Sequence, residues 1–498
     1  MQQVFYVTLD PEKALGVEDL LSSYHILCSE PSQMIVPLLD TGIDVKHFPN
    51  SENKHLINTA RLLQEEKIQE YINQVSYGKP DVIVFKNDKA TEELCHKLEY
   101  NLLNPSYKVL YRFENKVEFA KFIDSIELFT QPEHQFFEKF DEVSYTSLSS
   151  RFGHEFVVQF FFGHSGNTTF FVSSESELQD LQRRYPLRKG KVTRKINGNA
   201  YTINACITRL GVIIGGISEQ ITGIDKLTSS KGGTVGNDYT QRHLTEFLRS
   251  ELVMKTIELG NILMKEGHRG IFGLDFVLDE ESHTFYLIEA NVRQTLSSPF
   301  YSYLQREQKQ VPIMLWHTLE LLNHNYYEKF TSLSEENEEW INESIDAFRL
   351  TNNRLDYNIQ LNQPLQASQI FFRNIHPYPV KVLDQFPSGV YRIRGRLPVE
   401  SALLEMGDES YPAVFHMRED GWNTLCFICR GYSILDAKKE NGFFIHTLPE
   451  QALVPELGEI GRLQIQESAF SSKNTKDVNG WIMDVIDTIY ENTRYSKS

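Results

Sequence analysis

A chain of 498 residues has room for about two to four domains and a large core. Its formal charge of −17 excludes a general nucleic-acid binder that works through its overall field, and leaves any anionic ligand to local cations. No run is long enough to span a bilayer, so no membrane partner is expected. The opening MQQVFYVTLD has neither the basic region nor the apolar core of a signal peptide, and a cytoplasmic location is expected. The five cysteines, at 28, 95, 206, 426 and 429, do not resemble a disulfide framework. Cys426 and Cys429 sit in an apolar strand-like run, where positions three apart face opposite ways, and read as buried free thiols.

Residues 1–110 read as α/β. A short strand at 4–9, a helix near 33–39 and a strand at 44–48 come first. Helical spacing of Leu56, Leu62, Leu63, Ile68, Tyr71, Ile72 and Val75 follows, stopped by Gly78-Lys79-Pro80, and then a buried strand at 81–85. That alternation suggests a small parallel sheet. No GxGxxG follows the first strand, so no dinucleotide site is expected there.

Asn115-Lys116 opens a helix to about residue 128. A strand at 156–162 carries Gln159 and runs into Gly163-His164-Ser165-Gly166-Asn167-Thr168-Thr169, with a second strand at 170–172 leading out. Glycine admits close backbone approach and the hydroxyls supply donors, which suits phosphate; an ordinary hairpin turn uses the same residues. Residues 192–207 read as a strand, a turn at Asn197-Gly198, and a second strand. A strand at 211–222 is followed by a glycine-rich loop at 231–239, which borders an acceptor substrate or simply connects elements. Asp238 is placed to cap the helix in which Leu244, Phe247, Leu248, Leu252, Ile257 and Ile262 recur, with Gly267 where its C-cap belongs.

The stretch 267–298 holds the most chemistry. Two apolar runs, 271–278 and 284–288, flank Asp279-Glu280-Glu281-Ser282 and read as a β-hairpin. Alternation puts Glu289 and Asn291 on one face, and folding back brings Asp275 to it. Two carboxylates and an amide oxygen make a hard, all-oxygen site suited to Mg²⁺. A solvated surface hairpin is the plain alternative, but Asp275 and Glu289 interrupt apolar runs, where an unpaired acid is costly. Beyond lie a helix at 312–323 and an acid-rich linker or solvated helix face at 334–339. Strand-like runs follow at 367–372, 390–394, 413–417, 424–429 and 443–445, then an amphipathic helix at 480–492. Arg392, Arg394 and Arg396 alternate on one strand face, as a solvated edge or as a contact for phosphate or carboxylate.

Asp275, then Tyr286-Leu287-Ile288-Glu289-Ala290-Asn291, then Arg293 resembles, in order and spacing, the metal-binding hairpin of the ATP-grasp ligases, a family that includes D-alanine–D-alanine ligase and biotin carboxylase. The resemblance implies an α/β (α+β) ATP-grasp fold. Its parts would be a pre-ATP-grasp α/β domain over 1–110, an ATP-grasp domain over 111–330 with a lid over about 150–210, and a strand-rich C-terminal domain over 345–498. It implies ATP and Mg²⁺ as cofactors, with Asp275, Glu289 and Asn291 holding the metal. Lys116 would touch the adenine or α-phosphate end, Gly163, Ser165 and Gly166 would form the lid over the phosphates, and Arg194, Lys195, Ile196 and Asn197 the adenine hinge. Arg293 would stabilise an acylphosphate or tetrahedral oxyanion.

The implied reaction joins a small-molecule carboxylate to an amine, such as amino acids or peptides, with release of ADP and phosphate; a homodimer is common in the family. Two departures stand out. The strand lysine before the lid is Gln159 here, which leaves the missing charge to Lys189, Lys191, Arg194 or Lys231. The usual hinge glutamate is Arg194, and the ribose-binding acid falls near Asn199 or Ala200. These departures keep a non-catalytic nucleotide-binding regulator in view, beside a carboxylase or phosphotransferase of the same family.

Overall fold

Strands buried on both faces need cover on both sides, and the first third of the chain supplies such strands. The computed structural model describes residues 3–49, 58–161, 168–228, 232–395, 414–417, 423–472 and 477–497. β1 (Val4–Val7), β2 (Tyr24–Cys28), β3 (Val45–His47), β4 (Asp81–Val84) and β5 (Asn101–Leu102) form a five-stranded sheet in the order β3-β2-β1-β4-β5. All of its pairings are parallel, as expected. Alternation divides each strand between two cores. Phe5, Val7, Leu27, Val82 and Val84 pack with Leu62, Leu63, Ile68 and Ile72 of the helices on one side. Val4, Tyr6, Ile26 and Ile83 face a second core containing Tyr303, Met314, Trp316 and Phe348. The long helical stretch is divided where it is described, into Thr59–Leu63 and Glu66–Val75, because Glu65 is extended (ψ 123°). β2 is an added strand that the alternation of elements did not locate.

A four-stranded antiparallel sheet follows: β6 (His134–Phe137), β7 (Phe156–Phe160), β8 (Thr169–Val172) and β9 (Gly190–Arg194), in the order β6-β9-β7-β8. Phe137, Phe140, Phe152, Phe156, Val158 and Phe160 give it its own small core. The next five strands are β10 (Gly198–Thr208), β11 (Gly211–Thr222), β12 (Thr234–Asp238), β13 (Gly270–Asp279) and β14 (Phe285–Asn291). The helix Glu246–Lys265 covers one face through Leu248, Leu252, Val253, Leu259 and Leu263. The helices Ser298–Glu307 and Ile313–Leu321 join the core with the first sheet.

Two expectations are corrected here. The segment read as a glycine-rich loop holds β12, which pairs with β11; Gly236 is needed because a Cβ there would strike the Gln369 carbonyl. Asp238 does not cap the following helix. Thr245 does, and the Asp238 carboxylate accepts instead from the Ala469 N–H (2.8 Å) and the Ser468 hydroxyl (2.6 Å).

β12 also pairs with β15 (Ser368–Arg373), and through it the sheet runs on into Glu459–Ile465, Phe443–Thr447, Gly389–Gly395, Asn423–Cys429 and Val414–Met417. Among the described residues eleven strands thus share one sheet. The acid-rich segment at 334–339 is the start of a helix, Glu335–Leu350, capped by Ser334 and buried through Ile341, Ile345 and Phe348. The closing helix is Gly480–Glu491. Arg392 donates to the Glu440 carbonyl (2.5 Å), so it is tied within the fold. The Arg394 side chain and Arg396 lie outside the described residues. All five cysteines are free. Among the described residues no helix is long and apolar enough to cross a membrane.

Short of its pairing with β12, which begins at Glu219, the outer edge of β11 is satisfied by side chains. The fully buried Asn358 accepts from the Ile214 N–H (2.7 Å) and donates to the Val212 carbonyl (3.1 Å). Asn358→Ala leaves both groups buried and unpaired, so it is expected to lower unfolding stability by about 2–4 kcal/mol, read as a shift in urea midpoint at unchanged slope.

Candidate active site

The hairpin β13–β14 turns tightly because the Asp279 carboxylate accepts from the Ser282 N–H (2.7 Å) and hydroxyl (2.8 Å). Its register sets Asp275 directly opposite Glu289 and Gly273 opposite Asn291, so the three expected metal ligands share one face. Asp275 accepts from the Thr202 hydroxyl (2.6 Å), the Gln220 amide (2.9 Å) and the Asn291 amide (3.0 Å). Gln220 is itself aligned by the Thr234 hydroxyl (2.6 Å). Three neighbouring strands, β10, β11 and β12, therefore fix the orientation of this carboxylate. Glu289 meets the Lys116 ammonium at 2.5 Å, with Lys116 placed by Asn115, which caps the helix Lys116–Ile126.

Arg293 is held on several sides. It contacts the Glu114 carboxylate at 2.9 Å, donates to the Asn291 amide oxygen (2.9 Å) and the Gln294 carbonyl (3.0 Å), and lies over the Phe85 ring. Lys86 closes the arrangement with a 2.6 Å contact to Glu114. Arg293 thus presents a fixed guanidinium at the edge of the hairpin and orients Asn291.

Burial and the charge of Glu289 together push the Asp275 carboxyl up to about 7. Burial acts on Glu289 in the same direction, but the Lys116 charge outweighs it and holds Glu289 below the ordinary carboxylate range. Two facing carboxylates, one of them resisting ionisation, fit a divalent cation, which would remove their repulsion. The Asn291 oxygen keeps a second lone pair beside the one Arg293 uses, so it fits as a third oxygen donor.

These groups line a cavity of about 620 Å³ between the four-stranded sheet and the eleven-stranded one. Lys116, Gln159, Asp275, Glu289, Asn291 and Arg293 all line it, as do Arg194, Lys195, Ile196 and Asn197. Gly163, Ser165 and Gly166 lie outside the described residues, as do His164 and Lys231. Lys195-Ile196-Asn197 joins β9 to β10 outside either strand, and Lys195 contacts Glu155 at 2.6 Å. Thr202, Gln220 and Thr234 also line the cavity but were not singled out from sequence. The available signal was a polar residue breaking each apolar run, Thr202 in β10 and Gln220 in β11. A smaller cavity of about 380 Å³ adjoins the first, sharing Leu296 and Arg373; Asp10, Lys13, Glu30, Glu459 and Arg462 line it.

No family model matches the sequence, and neither does any curated protein. Solved structures do match over nearly the whole chain. A biotin carboxylase from Campylobacter jejuni, solved as a β,γ-ATP complex, is 12% identical, with a TM-score of 0.56 over 100% of this chain and 92% of that one. An N5-carboxyaminoimidazole synthase from Aspergillus clavatus, bound to ADP and an aminoimidazole ribonucleotide, is 11% identical, with a TM-score of 0.55 over 98% and 99%. The biotin carboxylase domain of a Hydrogenobacter thermophilus 2-oxoglutarate carboxylase, holding MgADP, ADP and bicarbonate, is 10% identical, with a TM-score of 0.54 over 100% and 91%. In keeping with the sheets and the hairpin register described above, the chain has the ATP-grasp fold.

Proposed function

We propose that the chain is an ATP- and Mg²⁺-dependent ligase that joins a carboxylate to an amine through an acylphosphate. The observation that carries this reading is the convergence of Asp275, Glu289, Asn291 and Lys116 at a cavity that the 195–197 segment also lines. Such a cavity suits a nucleotide with its base against the backbone of that segment and its phosphates toward the hairpin. When bound, Mg²⁺ supplies charge neutralisation at the phosphates. Asp275, Glu289 and Asn291 would hold it, kept in place by Thr202, Gln220 and Arg293. The substrate carboxylate oxygen attacks the γ-phosphorus and ADP departs. The amine then attacks the acyl carbon, phosphate leaves, and the amine proton passes to solvent. Arg293, rigidly held at the edge of the hairpin, stabilises the negative oxygen that develops on the acyl group.

The adjoining cavity suits the second substrate. Its mixture of carboxylates with Lys13, Arg373 and Arg462 favours a molecule carrying both an amine and an anionic group. On this reading residues 1–110 and the strand-rich 345–498 region flank the nucleotide-binding part and together select substrates. A second reading uses the same site with bicarbonate as the carboxylate. It is favoured by the three solved neighbours, an N5-carboxyaminoimidazole synthase, a biotin carboxylase and a biotin carboxylase domain.

Three outcomes are expected. ADP and phosphate release from MgATP should require an added substrate pool of amino acids and small carboxylic acids, or bicarbonate with an amine. Mass spectrometry of the product separates amide from carbamate, and ATP turnover with neither product would count against both. Asp275→Asn and Glu289→Gln should each lower turnover by about a hundredfold or more, and the thermal melt of Asp275→Asn should not fall, whereas Glu289→Gln strands the buried Lys116 ammonium and should lower it. Arg293→Met should lower kcat by about a hundredfold while the KM for ATP changes little. An equal rise in KM would instead place Arg293 in nucleotide binding.

A further inference from the structure

We infer that the phosphate-binding charge absent at Gln159 is carried by Lys191, on the strand beside it; this rests on the ATP-binding reading above. Gln159 of β7 and Lys191 of β9 are direct cross-strand partners in an antiparallel pair, so their side chains leave the same face of the four-stranded sheet. Both are buried, at 3% and 2% exposure. The Gln159 amide donates to the Thr169 hydroxyl at 3.4 Å, and the Lys116 ammonium donates to that same hydroxyl at 3.4 Å. Position 159 therefore faces the phosphate end of the cavity, and Lys191, its neighbour just outside the lining, feels the charges of Lys116, Glu289 and, in addition, Asp124, none of the carboxylates being within ion-pair distance.

What distinguishes Lys191 is the lack of a partner. Among the described residues it has no hydrogen-bond acceptor and no ion pair. A buried ammonium without a counter-ion is unfavourable, and proteins ordinarily pair it or neutralise it. Burial, with the Lys116 charge added, pushes this ammonium down to about 8. An entering phosphate would provide the missing anion, and the free protein would then carry an unfavourable charge that binding relieves. Two other candidates are differently placed, and Lys231 lies outside the described residues. Lys189 is half-exposed and paired with Glu138. Arg194 ends its strand at the 195–197 segment, where it interacts with Asp279.

Moving the charge tests this. Isothermal titration would compare MgATP and adenosine as ligands of the full chain, of Lys191→Met, and of Lys191→Met combined with Gln159→Lys. The single variant should bind MgATP about ten- to a hundredfold more weakly while its adenosine affinity stays within about twofold. The double variant, with the ammonium returned one strand away on the same face, should recover most of the loss. The thermal melt of unliganded Lys191→Met should not fall, since the charge it removes has no partner there. Undiminished MgATP binding by Lys191→Met would overturn the inference, and so would a parallel loss of adenosine, which would mark a structural role. Failure of the unaltered chain to bind either ligand would overturn the nucleotide reading itself, and the inference with it.

Discussion

Carboxylates set opposite each other on paired strands repel, by roughly 3 kcal/mol at about 5 Å and an effective dielectric near 20. Much of the surrounding structure answers that repulsion between Asp275 and Glu289. Lys116 neutralises one side at the start of its helix, and three donors from β10, β11 and β14 satisfy the other. Arg293 is held by Glu114, and Glu114 by Lys86, so a second alternation of charge runs from the hairpin to the segment just past β4 of the first sheet. Each ion is oriented by another, so the site is rigid before any ligand arrives, which is what electrostatic stabilisation of a transition state requires.

A second charged cluster ties distant parts of the chain together. Glu12, buried beside β1, pairs with Arg462 and, at 2.8 Å, with His446. Arg462 also meets Glu459 at 2.6 Å. The Arg462 charge and His446 hold Glu12 down at about 2 against the upward push of burial. Buried pairs of this kind add little net stability compared with apolar packing, but losing one partner is expensive. They therefore specify how the first sheet meets the eleven-stranded one and fix one wall of the smaller cavity.

The hairpin was legible because its chemistry is local. Asp275, Glu289 and Asn291 lie within a short stretch, and alternation plus one turn determines their common face. β1, β3 and β4 of the first sheet and the strands Ser368–Arg373, Gly389–Gly395, Asn423–Cys429 and Phe443–Thr447 were legible as short runs for the same reason, whereas β2, β5 and Glu459–Ile465 were not. What escaped depends on long-range pairing. β12 looked like a loop because its glycines, read locally, signal a turn, whereas Gly236 is there to let β15 approach. Asp238 looked like a cap because its partners, Ser468 and Ala469, lie far along the chain. Among the candidates for the missing strand charge, cross-strand register, burial and the Glu138 partner of Lys189 separate Lys191 from Lys189. The helix Ser298–Glu307 went unnoticed because its Ser, Tyr and Gln residues read as polar in sequence, although nearly all of it is buried.

The continuity of the large sheet has a consequence for the order in which the chain is made. β12 presents one side to β11 but must wait for β15 on the other, and β15 in turn waits for Glu459–Ile465 near the far end of the chain. On the ribosome, the strands that frame the cleft emerge long before the strands that complete their sheet. An exposed strand edge invites pairing with other chains. The newborn polypeptide thus passes through a stage in which its chemical groups are all synthesised but its sheet still has an open flank, and that interval is when chaperone attention matters most.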